Sequence, residues 1–148
     1  MRRISPAYAV CLFVLVGCTD TAVDSGGTGT ISYNWHVRPI LSENCFQCHG
    51  PDEEALEAGL RLDRPDLALQ RLEGPRDRYA IVPGDPDSSE LIWRINTSST
   101  DDLMPPVSTH KSLTEQEKQI LRQWIADGAE YQRHWAYVAP EVMPAAQT

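Results

Sequence analysis

Apolar positions follow a helical period most clearly in the last third of the chain. The stripe consists of Ile120, Leu121, Trp124 and Ile125. Their spacing of three and four residues is typical of a helix with one buried face. Thr114 is placed to cap the start of this helix, Glu117 to complete a capping box, and Gly128 to end it.

A first helix is predicted over residues 32–44, just after a polar, glycine-rich stretch. Asn34 is a suitable N-cap, and Ile40 and Leu41 would lie on the buried side. Pro39 fits a helix only within its first turn, because proline lacks the backbone N–H that later turns require.

The middle of the chain alternates between short apolar runs and turn residues. Residues 59–63 and 80–84 read as two short strands that could pair, and residues 65–72 as a brief helix between them. Residues 85–90 form a strong helix start, and the apolar face that follows contains Leu91, Ile92 and Ile95. The whole pattern predicts a mostly α domain with a short two-stranded β element.

The N-terminal segment has the composition of an export signal. Arg2 and Arg3 precede an apolar run over residues 7–16, which is too short to span a bilayer permanently. The run ends in LVGC, which resembles the bacterial lipobox and implies lipidation of Cys18. The alternative is ordinary cleavage beside an incidental cysteine. We expect residues 1–17 to be a signal peptide.

Four segments are expected in total. Residues 18–30 are polar and glycine-rich, which predicts a flexible tether behind the lipid. Residues 31–139 would form one folded domain, and residues 140–148 a C-terminal tail. The expected location is the periplasmic side of a bacterial membrane, with attachment through the lipid anchor.

Charge and cysteine content exclude several classes of protein. The chain of 148 residues has a formal net charge of −8, so no basic face is available for nucleic acid. An acidic surface either keeps the protein in solution or steers basic redox protein partners. Two of the four cysteines lie in or beside the leader, and the remaining pair cannot form a disulfide framework.

That remaining pair belongs to a Cys-x-x-Cys-His motif formed by Cys45, Cys48 and His49. The motif is a signature of covalent haem attachment: the two thiols bind the vinyl groups and the histidine is the proximal iron ligand. One such motif predicts one covalent haem c. The alternatives are structural zinc, which needs four ligands, a thioredoxin-like redox pair, which needs a βαβ context, and a plain disulfide.

Met104 is the expected distal iron ligand. It lies in a polar loop ahead of the last helix, and the two prolines after it stiffen the loop. Thioether sulfur favours Fe(II), so that His/Met ligation raises the reduction potential. A lone methionine is otherwise core filler. His110 is the main competitor, and His36, Met143 or an open site are the others.

Other side chains have weaker assignments. The aromatic residues expected to pack near the haem or between the first and last helices are Tyr33, Trp35 and Trp124. The arginines that could pair with haem propionates, or simply be solvated, are Arg38, Arg61 and Arg94.

The order of short blocks along the chain resembles the planctomycete-type cytochrome c domain. The blocks are ISYN at 31–34, RPILSENCFQCHGPD at 38–52, AGLRLD at 58–63, AIVPGDP at 80–86, SELI at 89–92, LMPP at 103–106, LT at 113–114 and WI at 124–125. The resemblance covers residues 31–139. It implies a class I-like cytochrome c fold around one covalent haem, with Cys45 and Cys48 as thioether sites, His49 as proximal ligand and Met104 as distal ligand.

The chain departs from that family pattern in two places. Trp35 and His36 stand where the family often has a charged pair. Family members also commonly continue into large additional domains. We therefore expect an exported monohaem electron carrier that is not itself an enzyme. The alternatives are a haem oxidoreductase of peroxidase type or a haem sensor domain. The chain is expected to be either a stand-alone lipoprotein or the N-terminal part of a larger multidomain protein.

Overall fold

The computed structural model describes residues 31–74, 77–133 and 136. The predicted signal peptide, the tether with Cys18 and the C-terminal tail lie outside these residues. The described part is dominated by helices. A π-helical segment, Tyr33–Val37, is followed by α1 (Arg38–Asn44), α2 (Phe46–His49), α3 (Pro65–Ala68), α4 (Glu90–Asn96), the 3-10 helix Val107–Thr109 and α5 (Glu115–Ala126).

The predicted first helix is present but begins in a different way. Pro39 lies in the first turn of α1, as its missing N–H requires. The prediction that Asn34 caps the helix is wrong, because Asn34 lies within the π-helical segment. Its side-chain amide instead donates to the backbone oxygen of Arg133 at 2.7 Å, and its backbone N–H donates to Oε1 of Gln132 at 3.1 Å.

An aromatic cluster joins the first and last helical segments at the centre of the core. The Tyr33 ring lies 5.7 Å from that of Trp124 and 4.6 Å from that of Tyr131, measured between ring centroids. Two of the three polar tips of the cluster have hydrogen-bond partners: Trp124 Nε1 donates to the Glu130 oxygen and the Tyr131 hydroxyl to the Leu62 oxygen. The expected core roles of Tyr33 and Trp124 are confirmed.

Trp35 does not share that role. Its side chain is 75% exposed on the outer face of the π-helical segment. The prediction that it packs near the haem or between helices is therefore wrong.

Helix α5 begins and ends as predicted. The Thr114 side chain accepts the Glu117 N–H, and the Glu117 carboxylate accepts the Thr114 N–H, which is a complete capping box. The chain leaves the helix at Gly128, where φ is +105°. Leu121 and Ile125 are fully buried and Ile120 is half-buried, so that the predicted stripe faces the core.

The predicted pairing of residues 59–63 with 80–84 is absent, and neither segment is a strand. Ala58 and Gly59 both have positive φ, at 52° and 64°, which turns the chain before a ladder can form. The bridges present in the described residues instead pair Arg71 with Tyr79 and Tyr79 with Ser89.

The segment around Tyr79 organises the start of α4. The N–H groups of Glu90 and Leu91 donate to the oxygens of Tyr79 and Ala80, each at 3.0 Å. Leu91, Ile92 and Ile95 are buried as predicted, and α4 packs against α5. No helix among the described residues has both the length and the apolar character needed to cross a bilayer.

Candidate functional site

The Cys-x-x-Cys-His motif lies at the junction of α1 and α2. Cys45 ends α1, accepts the N–H of His49 at 2.9 Å, and so begins the single turn that forms α2. Cys48 and His49 are the last two residues of that turn. Both motif cysteines are free thiols, so that the pair is not joined as a disulfide.

The loop after the motif folds back and fixes its backbone. The Glu57 N–H donates to the Cys48 oxygen at 2.9 Å, and the Leu62 N–H donates to the His49 oxygen at 2.8 Å. These bonds use carbonyls that the short helix leaves unpaired at its end. Leu60 and Leu62, which the sequence assigned to a strand, are thereby placed beside the motif.

A mostly apolar cavity of about 240 Å³ opens next to the motif. Cys45, His49 and Met104 all line it, although Met104 is far from the motif in sequence. Its apolar lining is completed by Ala58, Leu60, Leu62, Leu72, Ala80, Leu91, Ile95 and Leu121. Cys48 is half-buried and does not line this cavity.

Met104 reaches the cavity because its loop is bonded to α4. Its N–H donates to the oxygen of Arg94 at 3.1 Å. The competing histidines lie elsewhere: His110 is exposed at the end of the 3-10 helix, and His36 is exposed and accepts the Ser32 N–H. Met143 lies outside the described residues. Among the candidates for the distal ligand that the structure describes, Met104 lines the same cavity as His49, whereas His36 and His110 do not line it.

Burial controls the electrostatics of the motif. It raises the pKa of the Cys45 thiol from 9.0 to about 12, an effect that the nearby Lys111 only partly offsets, so that this thiol is neutral at physiological pH. Burial also lowers the pKa of His49, against the opposing influence of the Leu60 and Glu57 backbone. His49 Nδ1 is buried with no hydrogen-bond partner.

The polar edge of the cavity is a linked set of ionic side chains. The Glu90 carboxylate accepts from Arg78 Nη1 at 2.6 Å and from Arg94 Nε at 3.1 Å. All three residues line the cavity, together with Glu73. The Glu90 side chain is only 12% exposed, so its charge is compensated by the two guanidinium groups rather than by water.

The arginines suggested as propionate partners have different positions. Arg94 lines the cavity, while Arg61 does not and is paired with both carboxylate oxygens of Asp63 at 2.7 Å. Arg38 is half-buried in the first turn of α1, away from the cavity lining.

Glu90 and Arg78 were missed as site residues by the sequence reasoning, whereas Arg94 had been named. Glu90 and Arg94 are four residues apart, a spacing that indicates a helical ion pair and could have been recognised. Arg78 could not have been found in this way, since it approaches Glu90 only after the chain has turned through the proline- and glycine-rich residues 83–86.

Comparisons with known proteins place the motif within a described family. Residues 45–108 match the family model described as Planctomycete cytochrome C. The matched stretch contains the three motif residues and Met104. No curated protein and no solved structure matches the chain. Within the described residues, no group of three or more His, Cys, Asp or Glu side chains is arranged to hold a metal ion.

Proposed function

The chain carries a planctomycete-type cytochrome c domain, and we propose that it is a monohaem c-type cytochrome that transfers single electrons. A domain of this family implies covalently bound haem c. The observation that carries the proposal is the meeting of Cys45, His49 and Met104 in one apolar cavity.

The residues of the cavity fit a haem group. Eight apolar side chains form its wall, which suits a large flat macrocycle. The His49 side chain lines the cavity, and its buried Nδ1 has no hydrogen-bond partner, so the ring is not tied to another side chain. The two thiols are free. The guanidinium groups of Arg78 and Arg94 lie at the polar edge beside the carboxylates of Glu73 and Glu90, and they are the donors there that suit the carboxylates of such a ligand.

Cys45 and Cys48 would hold the group covalently. Each sulfur would form one thioether bond to a vinyl group, with the thiol hydrogen added to the neighbouring vinyl carbon. The addition is redox-neutral and releases no leaving group.

His49 and Met104 would bind the iron, His49 through its imidazole and Met104 through its thioether sulfur. Haem supplies a one-electron Fe(III)/Fe(II) couple when bound. The protein then contributes a neutral imidazole, since burial disfavours the charged ring, and a soft thioether, which favours the reduced state. Two fixed ligands from rigidly bonded segments keep the site similar in both oxidation states, as rapid electron transfer requires.

We further propose that the domain works outside the cytoplasm on a lipid anchor. Residues 1–17 would direct export, and Cys18 would carry the lipid on the periplasmic side of a bacterial membrane. The formal net charge of −8 favours partners that are redox proteins with basic surfaces, and disfavours nucleic acid.

The ferric spectrum of the full chain, produced with a cytochrome c maturation system, tests the His/Met proposal. The wild-type protein should be low-spin with the far-red band of methionine-ligated iron. Met104→Ala should lose the band, become high-spin and bind cyanide readily, while Met143→Ala and His110→Ala keep the band.

A different pattern would redirect the assignment. If Met104→Ala keeps the far-red band, another residue is the distal ligand. If the wild-type protein is already high-spin, an open iron site favours a haem oxidoreductase or sensor over an electron carrier.

A further inference from the structure

Arg94 links helix α4 to the loop that leads to Met104. Its Nε donates to Glu90 Oε1 at 3.1 Å, within the same helix. Its Nη1 donates to the backbone oxygen of Asp102 at 3.1 Å, and its own backbone oxygen accepts the Met104 N–H at 3.1 Å. Arg94 therefore holds the loop at two points: at Asp102, two residues before the methionine, and at Met104 itself.

The loop that Arg94 grips is a closed turn. The N–H groups of Asp102 and Leu103 both donate to the Ser99 oxygen, at 3.2 Å and 2.9 Å. The Ser99 hydroxyl in turn bonds Asp102 Oδ2 at 2.9 Å. Because the turn is bonded internally, fixing the Asp102 oxygen fixes the turn as a unit and with it the approach of Met104 to the cavity.

The other end of the guanidinium is equally well held. Glu90 is anchored by Arg78 Nη1 at 2.6 Å and by its own N–H, which donates to the Tyr79 oxygen. Its side chain is 12% exposed and that of Arg94 is 26% exposed. Charge-assisted hydrogen bonds in such partly desolvated surroundings are stronger than those on an open surface.

We propose that Arg94 is the positioning residue for Met104, acting as a brace between Glu90 and the Asp102 oxygen that holds the thioether toward the iron. The proposal rests on the function proposed above, in which Met104 is the distal ligand. Its consequence is specific: without the brace the methionine leaves the iron more readily, and small external ligands compete with it more effectively.

The substitution Arg94→Lys separates bracing from charge. Lysine keeps the positive charge beside the cavity, but its single ammonium group cannot reproduce the guanidinium fork that spans Glu90 and Asp102. We expect the ferric R94K protein to bind imidazole about tenfold more tightly than wild type, which corresponds to about 1.4 kcal/mol. The measurement is a titration of the full-chain holoprotein with imidazole, followed by loss of the far-red band.

Arg61→Lys is the matched control, because it makes the same change at a half-buried arginine that is paired with Asp63 and does not line the cavity. Its imidazole affinity should equal that of wild type. Equal affinities for R94K and wild type would overturn the bracing role, and so would an equal increase in R61K and R94K. If the R94K protein does not accumulate, Glu90→Gln tests the same brace from its other end. The E90Q protein should bind imidazole more tightly than wild type, and an imidazole affinity equal to that of wild type would contradict the proposal.

The outcome for the wild-type protein keeps the two proposals apart. A wild-type spectrum with the far-red band and an unaffected R94K variant removes only the brace. A wild-type protein without that band removes Met104 as ligand, and the brace falls with it.

Discussion

At the scale of single residues, the glycine directly after the haem motif is constrained by contact. A Cβ built on Gly50 would overlap the backbone oxygen and Cβ of Phe46. Phe46 is the first residue of α2, the single turn that carries Cys48 and His49. Any side chain at position 50 must therefore push on the turn that carries His49.

Gly50→Ala should destabilise the folded holoprotein by about 1–3 kcal/mol, as overpacking of a close contact does. The thermal unfolding midpoint of the full chain measures this. Gln47→Ala, at an exposed position of the same turn, is the control and should leave the midpoint unchanged. Equal midpoints for Gly50→Ala and wild type would mean that the turn shifts freely, so that its geometry is not fixed by this contact.

At the scale of elements, α5 packs against the π-helical segment and forms part of the cavity wall. It packs against the π-helical segment through Trp124 and Tyr33, and its Leu121 forms part of the cavity wall. The helix begins at the capping box of Thr114 and Glu117. The capping box stabilises the start of the helix that places Leu121 in the cavity wall.

Thr114→Ala should cost about 1 kcal/mol, because it leaves an N–H at the start of α5 without its side-chain acceptor. For a domain of this size the expected fall in the unfolding midpoint is about 4–8 °C. Ser112→Ala, two residues earlier and exposed, should have no such effect. A Thr114→Ala midpoint equal to that of Ser112→Ala would contradict the role of the capping box.

The elements also show what could be predicted from the sequence and what could not. Helix α5 was predictable because its caps and apolar stripe are local signals. Asn34 looked like an equally good local cap, yet its partner is the Arg133 oxygen, nearly a hundred residues away. The alternation at residues 59–63 likewise suggested a strand, but the positive φ of Ala58 and Gly59 sets the chain there into turns.

The same division applies to the site. Cys45, Cys48 and His49 were recognisable because covalent attachment requires them at a fixed spacing. Met104 was predicted from its loop and its neighbouring prolines, and the structure places it in the cavity that His49 also lines. The brace through Arg94 was not, since hydrogen bonds from a guanidinium to Glu90 and to a loop carbonyl leave no pattern in the sequence beyond one helical spacing.

At the scale of the whole molecule, the proposed lipid anchor in the N-terminal segment would hold an acidic domain at a membrane surface. Cys11 and Cys18 both lie in this segment, but only Cys18 follows the LVG sequence that resembles a lipobox. The proposed anchor therefore depends on one of two nearby cysteines.

Cys18→Ser should abolish lipid labelling of the full chain and remove the protein from the membrane fraction, because no diacylglycerol can then be attached. Cys11→Ser is the matched control and should remain labelled and membrane-bound. Labelling that persists in Cys18→Ser, or is lost in Cys11→Ser, would contradict the proposed anchor.

Every proposal about this domain depends on a covalent bond between the motif and haem, which mass spectrometry after acid–organic extraction of the exported full chain can detect. The wild-type chain should retain the added mass of one haem, and the double variant Cys45→Ala, Cys48→Ala should lose its haem to the organic phase. A wild-type chain without haem, with the thiols of Cys45 and Cys48 free or bonded to each other, would contradict the covalent bond.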